Sequence, residues 1–142
     1  MYHYTESGLQ NVWLTNGYAV RKTPYGKGVA IQNVAALHKA ICQTIARKPS
    51  LTGAELRFLR KQMDLSQAAL AELLGTSEQN VSLWERRGRI PKASDRLLKL
   101  ICLESLKEDV QIVALIERLN RQVSKAHERL RFEHRKTWRA AA

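Results

Sequence analysis

No stretch of about eighteen consecutive apolar residues occurs in this chain, so no segment reads as a membrane-spanning helix. The start, Met1-Tyr2-His3-Tyr4-Thr5-Glu6, lacks the basic opening and apolar run of a signal peptide, and a cytoplasmic setting is expected. Cysteine is scarce. Cys42 and Cys102 lie far apart, each inside a helical apolar pattern, which predicts two buried thiols rather than a disulfide or a zinc knuckle. There is no phosphate-binding glycine loop, no HExxH and no nucleophile elbow, so no enzyme chemistry is expected. The four histidines, His3, His38, His127 and His134, are dispersed. His127 and His134 can share a helix face but lack clustered carboxylates. No metal and no cofactor is expected.

Acidic residues are also few. Thirteen face 24 basic ones, for a net charge of +11 and a pI near 10.1. That excess favours a polyanionic partner, nucleic acid before an anionic membrane. The charge is uneven. Residues 1–51 carry six basic residues and one acidic, and residues 118–142 carry eight and two, while residues 52–117 are nearly balanced. If the middle reads DNA bases, the ends are placed to hold phosphates. A hydrophobic fraction of 44% is ample for a real core.

The first third, residues 1–48, reads as a small β-rich unit closed by a helix. Leu9 to Leu14 is strand-like. Asn16-Gly17 is a strong hairpin signal, and Tyr18 to Thr23 is expected to return as the paired strand. Pro24 to Gly28 marks a second turn, and Val29-Ala30-Ile31 a third short strand. Val34, Leu37, His38, Ile41 and Ile45 recur at helical spacing over 33–47, with His38 expected to pack rather than ligate. Lys48-Pro49-Ser50 then breaks the helix and bounds the unit.

Residues 49–106 read as a run of short helices. Thr52-Gly53-Ala54-Glu55 fits a capping box opening the first. Ser66 caps the second, Gly75 ends it, Ser77 caps the third and Gly88 stops that one. A last helical piece covers Ser94 to Leu103. From Asp109 the pattern becomes a heptad seam of Ile112, Ile116, Leu119, Val123, Ala126 and Leu130. A basic C-terminal helix is expected over 107–142, with that seam as the candidate dimer contact. Its apolar face is narrow and suits a partner helix better than a membrane surface.

The stretch Leu65-Ser66-Gln67-Ala68-Ala69-Leu70-Ala71-Glu72-Leu73-Leu74-Gly75-Thr76-Ser77-Glu78-Gln79-Asn80-Val81-Ser82-Leu83-Trp84-Glu85-Arg86-Arg87-Gly88 strongly resembles the lambda-repressor-like, or Xre, helix-turn-helix family. Two short helices must cross steeply with almost no linker. Ala71 permits the close approach, Gly75 makes the turn, and Val81 with Trp84 buries the second helix. The resemblance implies a mainly α chain. It would hold a five-helix lambda-repressor-like domain, a small N-terminal β-rich unit and a C-terminal heptad helix.

It also implies double-stranded DNA as partner, with the N-terminal end of the second helix in the major groove. Glu78, Gln79, Asn80, Ser82 and Leu83 are then the expected base contacts. The amides of Gln79 and Asn80 suit adenine, and Leu83 suits a thymine methyl. Glu78 can accept from cytosine, or simply favour the helix dipole. Gln67, Ser77, Arg86, Arg87 and Arg89 are the expected phosphate contacts, and Gln67 can also brace the second helix. Glu85 is expected to pair with an arginine of the domain.

The layout of a β unit before a helix-turn-helix also looks like the MqsA (YgiT-type) antitoxins. Those carry paired CxxC zinc ligands in the N-terminal unit, which this sequence lacks. The leading expectation is a homodimeric autorepressor on a palindromic operator. The alternative is an antitoxin-type protein that sequesters a toxin encoded nearby through its N-terminal unit, with DNA binding as feedback.

Overall fold

A computed structural model describes residues 1–107, 114 and 129–141. The described chain is mainly helical, with small antiparallel strand pairs. In chain order these are β1 (Tyr2–His3), a 3-10 turn (Thr5–Ser7), β2 (Trp13–Leu14), β3 (Tyr18–Thr23), β4 (Gly26–Ile31), α1 (Val34–Ile45), α2 (Gly53–Gln62), α3 (Gln67–Leu74), α4 (Glu78–Arg87), α5 (Lys92–Leu106), β5 (Phe132–Arg135) and β6 (Thr137–Ala140).

The strand pairing differs from the sequence-based expectation. The segment 9–14 does not pair with β3 across Asn16-Gly17. Its end, β2, pairs with β1, placing Tyr2 opposite Leu14 and His3 opposite Trp13. The reason is parity. Leu9 and Leu14 are both buried, yet residues five apart face opposite sides of a straight strand, so the segment must bend. The hairpin forms one turn later. β3 pairs with β4 around Pro24-Tyr25, where the Thr23 hydroxyl donates to the Gly26 carbonyl (2.7 Å) and accepts from the Tyr25 N–H (3.3 Å).

Helix boundaries follow the capping chemistry closely. The Thr52 hydroxyl accepts from the Glu55 N–H at 3.2 Å, and the Glu55 carboxylate accepts from the Thr52 N–H at 2.9 Å, which completes the capping box. Ser66 and Ser77 cap α3 and α4 in the same way, and Gly75 and Gly88 end them at φ 69° and 73°. Five helices occur among the described residues, but only four fall within 49–106, where five were expected. Residues 92–106 contain no glycine or proline after Pro91, so α5 runs unbroken. The remaining helix, α1, comes from the N-terminal unit.

One buried cluster joins the two parts. Tyr4, Leu9, Leu14, Ile41, Cys42 and Ile45 pack with Leu56, Leu59, Leu70, Val81, Trp84, Leu98 and Cys102. The connection at 48–51 is pinned by charge as well. The Lys48 ammonium reaches both oxygens of the buried Glu55 (2.9 and 2.7 Å). The Lys99 ammonium lies 2.5 Å from Asp95 and donates to the Lys48 carbonyl at 2.6 Å, while the Leu51 N–H donates to Asp95 at 2.8 Å. His38 packs against the core, as expected. Its ring bonds the Tyr4 hydroxyl (2.8 Å) and the Gln62 amide (3.0 Å) and lies edge-on to Phe58.

Cys42 and Cys102 are both buried and free, as the sequence predicts. A hydrogen bond between the thiols, with burial, pushes the Cys42 thiol up.

The heptad seam at Ile112, Ile116, Leu119, Val123 and Ala126 lies outside the described residues. Leu130 is exposed. Beyond it the expected helix is replaced by a hairpin. β5 and β6 pair antiparallel, with Glu133 bonded to Arg139 at 2.7 Å and the rings of His134 and Trp138 in edge contact. These cross-strand pairs favour the ribbon, and Lys136 makes the turn at φ 59°.

Candidate nucleic-acid interface

The interface is built from α3, the Gly75-Thr76 turn and α4. Gly75 takes the left-handed conformation that lets α4 leave steeply from α3, and the Thr76 N–H returns to the Ala71 carbonyl at 2.9 Å. Ala71 is buried at the crossing, and Val81 and Trp84 face the core, as their spacing predicts. The rest of α4 then points away from the core. Glu78, Gln79 and Asn80 are exposed in its first turn, with Ser82 and Leu83 half-buried behind them.

A polar brace fixes α4 from behind. Glu85 accepts from the Arg60 Nε at 2.6 Å and from the Gln67 amide nitrogen. Arg60 also donates to the Leu65 carbonyl at 2.9 Å. The pair is nearly buried, with 11% and 6% of the two side chains exposed, so this is not a solvent-screened surface contact. Three helices, α2, α3 and α4, are thereby tied through one carboxylate. Glu85 pairs within the domain as expected, and Gln67 turns one end of its amide inward.

The structure gathers some of the expected contact residues and separates others. Gln67, Glu78, Gln79, Ser82 and Arg86 line one shallow groove between α3 and α4. Gln79 has no bonded partner among the described residues. Asn80 is committed locally, its amide donating to the Thr76 hydroxyl at 2.9 Å and its N–H to the Ser77 hydroxyl at 3.2 Å. Arg86 lies back along its own helix, with Nε 3.4 Å from the Ser82 carbonyl. Arg87 and Arg89 are exposed past the groove, and Leu83 does not line it.

Three residues here escape sequence reasoning. Arg60 sits in the last turn of α2, where it reads as a favourable C-terminal charge, and only the fold reveals Glu85 as its partner. Thr76 reads as a turn residue. Gly53 reads as part of a cap, but its role is close approach. A side-chain carbon built there would lie 2.2 Å from the Glu85 carbonyl oxygen.

The groove offers two amides, one hydroxyl, one carboxylate and one guanidinium at a helix end, a set suited to hydrogen bonding. Among the described residues no group of His, Cys, Asp and Glu could hold a metal ion, and no helix is long and apolar enough to cross a membrane. No curated protein and no solved structure matches the chain. Residues 56–101, the stretch that holds α3, its turn and α4, match a helix-turn-helix family model.

Proposed function

We propose that the protein is a sequence-specific regulator of transcription that reads double-stranded DNA with the first turn of α4 in the major groove. The observation that carries this reading is the outward, braced end of α4. Gln79 stands exposed and unbonded there, while Glu85, Arg60 and Gln67 hold the helix from within. In this reading Gln79 bonds an adenine edge. Asn80 contributes through the oxygen of its amide or by exchanging its Thr76 bond, Glu78 and Ser82 border the same bases, and Leu83 meets a thymine methyl. Ser77, Gln67, Arg86, Arg87 and Arg89 hold the flanking phosphates.

One such unit reads too few base pairs for a unique operator, so the protein acts as a homodimer on a palindrome whose half-sites lie about 34 Å apart. The seam from Ile112 through Leu130 is the proposed dimer contact. The promoter of its own gene is the proposed operator.

Footprinting on the DNA upstream of the gene tests the reading, followed by Gln79→Ala. The variant is expected to lose about 1–3 kcal/mol on the protected sequence and nothing on random duplex. Asn80→Ala should lose less, because its amide already has a partner in Thr76. Equal losses on both duplexes would remove Gln79 from base reading.

A further inference from the structure

The β3–β4 hairpin has no part in the α4 interface. At its base, Tyr18 and Ile31 pack against the core; from Ala19 to Lys27 every residue is exposed, and Tyr25 at the tip is 99% exposed. Strands of this length reach about 20 Å. A two-stranded ribbon is marginal on its own in water, yet this one projects with no layer over it.

Its chemistry is one-sided. Arg21, Lys22 and Lys27 crowd the outer half, and no acidic residue occurs between Ser7 and Ala54. Lys22 and Lys27 are direct cross-strand partners, so both ammonium groups stand on one face, and like charges so placed repel. Arg21 stands on the other face opposite Gly28. None of the three cations has an ion pair or side-chain hydrogen bond among the described residues. An anion seated between Lys22 and Lys27 would relieve the repulsion.

We propose that this hairpin is a second DNA-binding arm, which grips backbone phosphates flanking the bases read by α4. The inference rests on the DNA-binding reading above and extends it to a surface outside the helix-turn-helix. Duplex DNA fits better than an acidic protein surface, because its phosphates line both walls of a groove, where the Lys22–Lys27 face and the Arg21 face of the ribbon can each meet backbone. The Tyr25 hydroxyl adds a donor at the tip. The base of the arm is firmly held. The helix it leads into, α1, is bonded to α2 through His38 and Gln62, so the arm has a fixed anchor on the reading domain.

The test uses the full chain carrying Arg21→Ala, Lys22→Ala and Lys27→Ala together. Affinity is measured on random duplex and on the upstream duplex from about 50 mM to about 200 mM salt. The plot of log affinity against log salt should flatten by about 0.9 for each phosphate no longer neutralised, about 2.7 for all three, and equally on both duplexes. The melting temperature should hold or rise, since the Lys22–Lys27 repulsion is gone. If it falls instead, Lys22→Gln with Lys27→Gln, which removes the charges but keeps most of each side chain, should still flatten the slope by about 1.8.

An unchanged slope, alongside a flatter one for Arg86→Ala with Arg87→Ala, overturns the arm and leaves the α4 reading standing. Loss of an acidic protein partner with DNA binding intact overturns it equally. Failure of the wild-type chain to bind any duplex overturns the reading beneath it.

Discussion

Gly53→Ala is a one-carbon change that should displace the recognition helix. The added carbon would sit 2.2 Å from the Glu85 carbonyl oxygen, 2.8 Å from the Glu85 carbonyl carbon and 2.8 Å from the Trp84 oxygen. All three are backbone atoms, so no side chain can swing away. Ordinary packing distances require α2 and α4 to part by about 1 Å, and a gap of that size forfeits a quarter to a half of the dispersion attraction across it. The atoms affected include fully buried Leu56 and Val81 and nearly buried Trp84. Against this, alanine gains at most about 1 kcal/mol of helix propensity, and less in a first turn. Overpacking of this kind costs about 1–3 kcal/mol, and the net effect should lie in that range.

Urea unfolding followed by tryptophan fluorescence measures it, with Gly28→Ala as control. A carbon at Gly28 meets the Thr23 methyl at 3.7 Å and the Arg21 carbonyl oxygen at 4.0 Å, both ordinary contacts, and Gly28 has no positive φ, so that change should be neutral or mildly stabilising. Specific DNA affinity of Gly53→Ala, measured where both proteins are folded, should fall as Gln79 moves with α4. A Gly53→Ala protein as stable as wild type, binding its operator normally, would refute the close-approach argument.

Arg60→Ala leaves the Glu85 carboxylate nearly buried and holding only Gln67, and should cost about 3 kcal/mol in urea unfolding. Glu85→Gln should cost less, because its amide can still bond Gln67. Cys42 and Cys102 should resist a water-soluble thiol reagent in the native protein and both react in denaturant, since both thiols are buried. Rapid labelling without denaturant would contradict that packing. The intact chain should unfold in one transition, with fluorescence and circular dichroism coincident. A fragment lacking residues 1–48 should lose that cooperativity, because Ile41, Cys42 and Ile45 belong to the shared core.

What could be read from the sequence was local, and what could not was tertiary. Thr52, Ser66, Ser77, Gly75 and Gly88 act on backbone groups within four residues of themselves, so their signals survive without a fold and place the ends of α2, α3 and α4 well. Val81 and Trp84 are legible because helical period alone assigns them to one face. The turn at Pro24 to Gly28 and its flanking strands are legible, but the partner of the 9–14 segment is not, because Asn16-Gly17 is a genuine turn signal whose outcome depends on a nonlocal demand. Leu9 and Leu14 must both reach the core, and the strand containing them bends to allow it. At the chain end, the Glu133–Arg139 and His134–Trp138 pairs favour a ribbon where composition continued a helix.

The interface divides along the same line. Which residues would face outward from α4 could be read from periodicity, and the groove of Gln67, Glu78, Gln79, Ser82 and Arg86 follows from it. What fixes that face could not be read, because Arg60 and Glu85 are 25 positions apart and Gly53 approaches Glu85 across the domain. The two unforeseen features converge on one residue. Glu85 presents its carboxylate to Arg60 and Gln67 and its backbone carbonyl to Gly53. The position of α4 is therefore set from both sides at one point, one turn beyond the bases it would read. A helix held there can present Gln79 without reorganising when DNA arrives, and the ordering cost is met at folding rather than at binding.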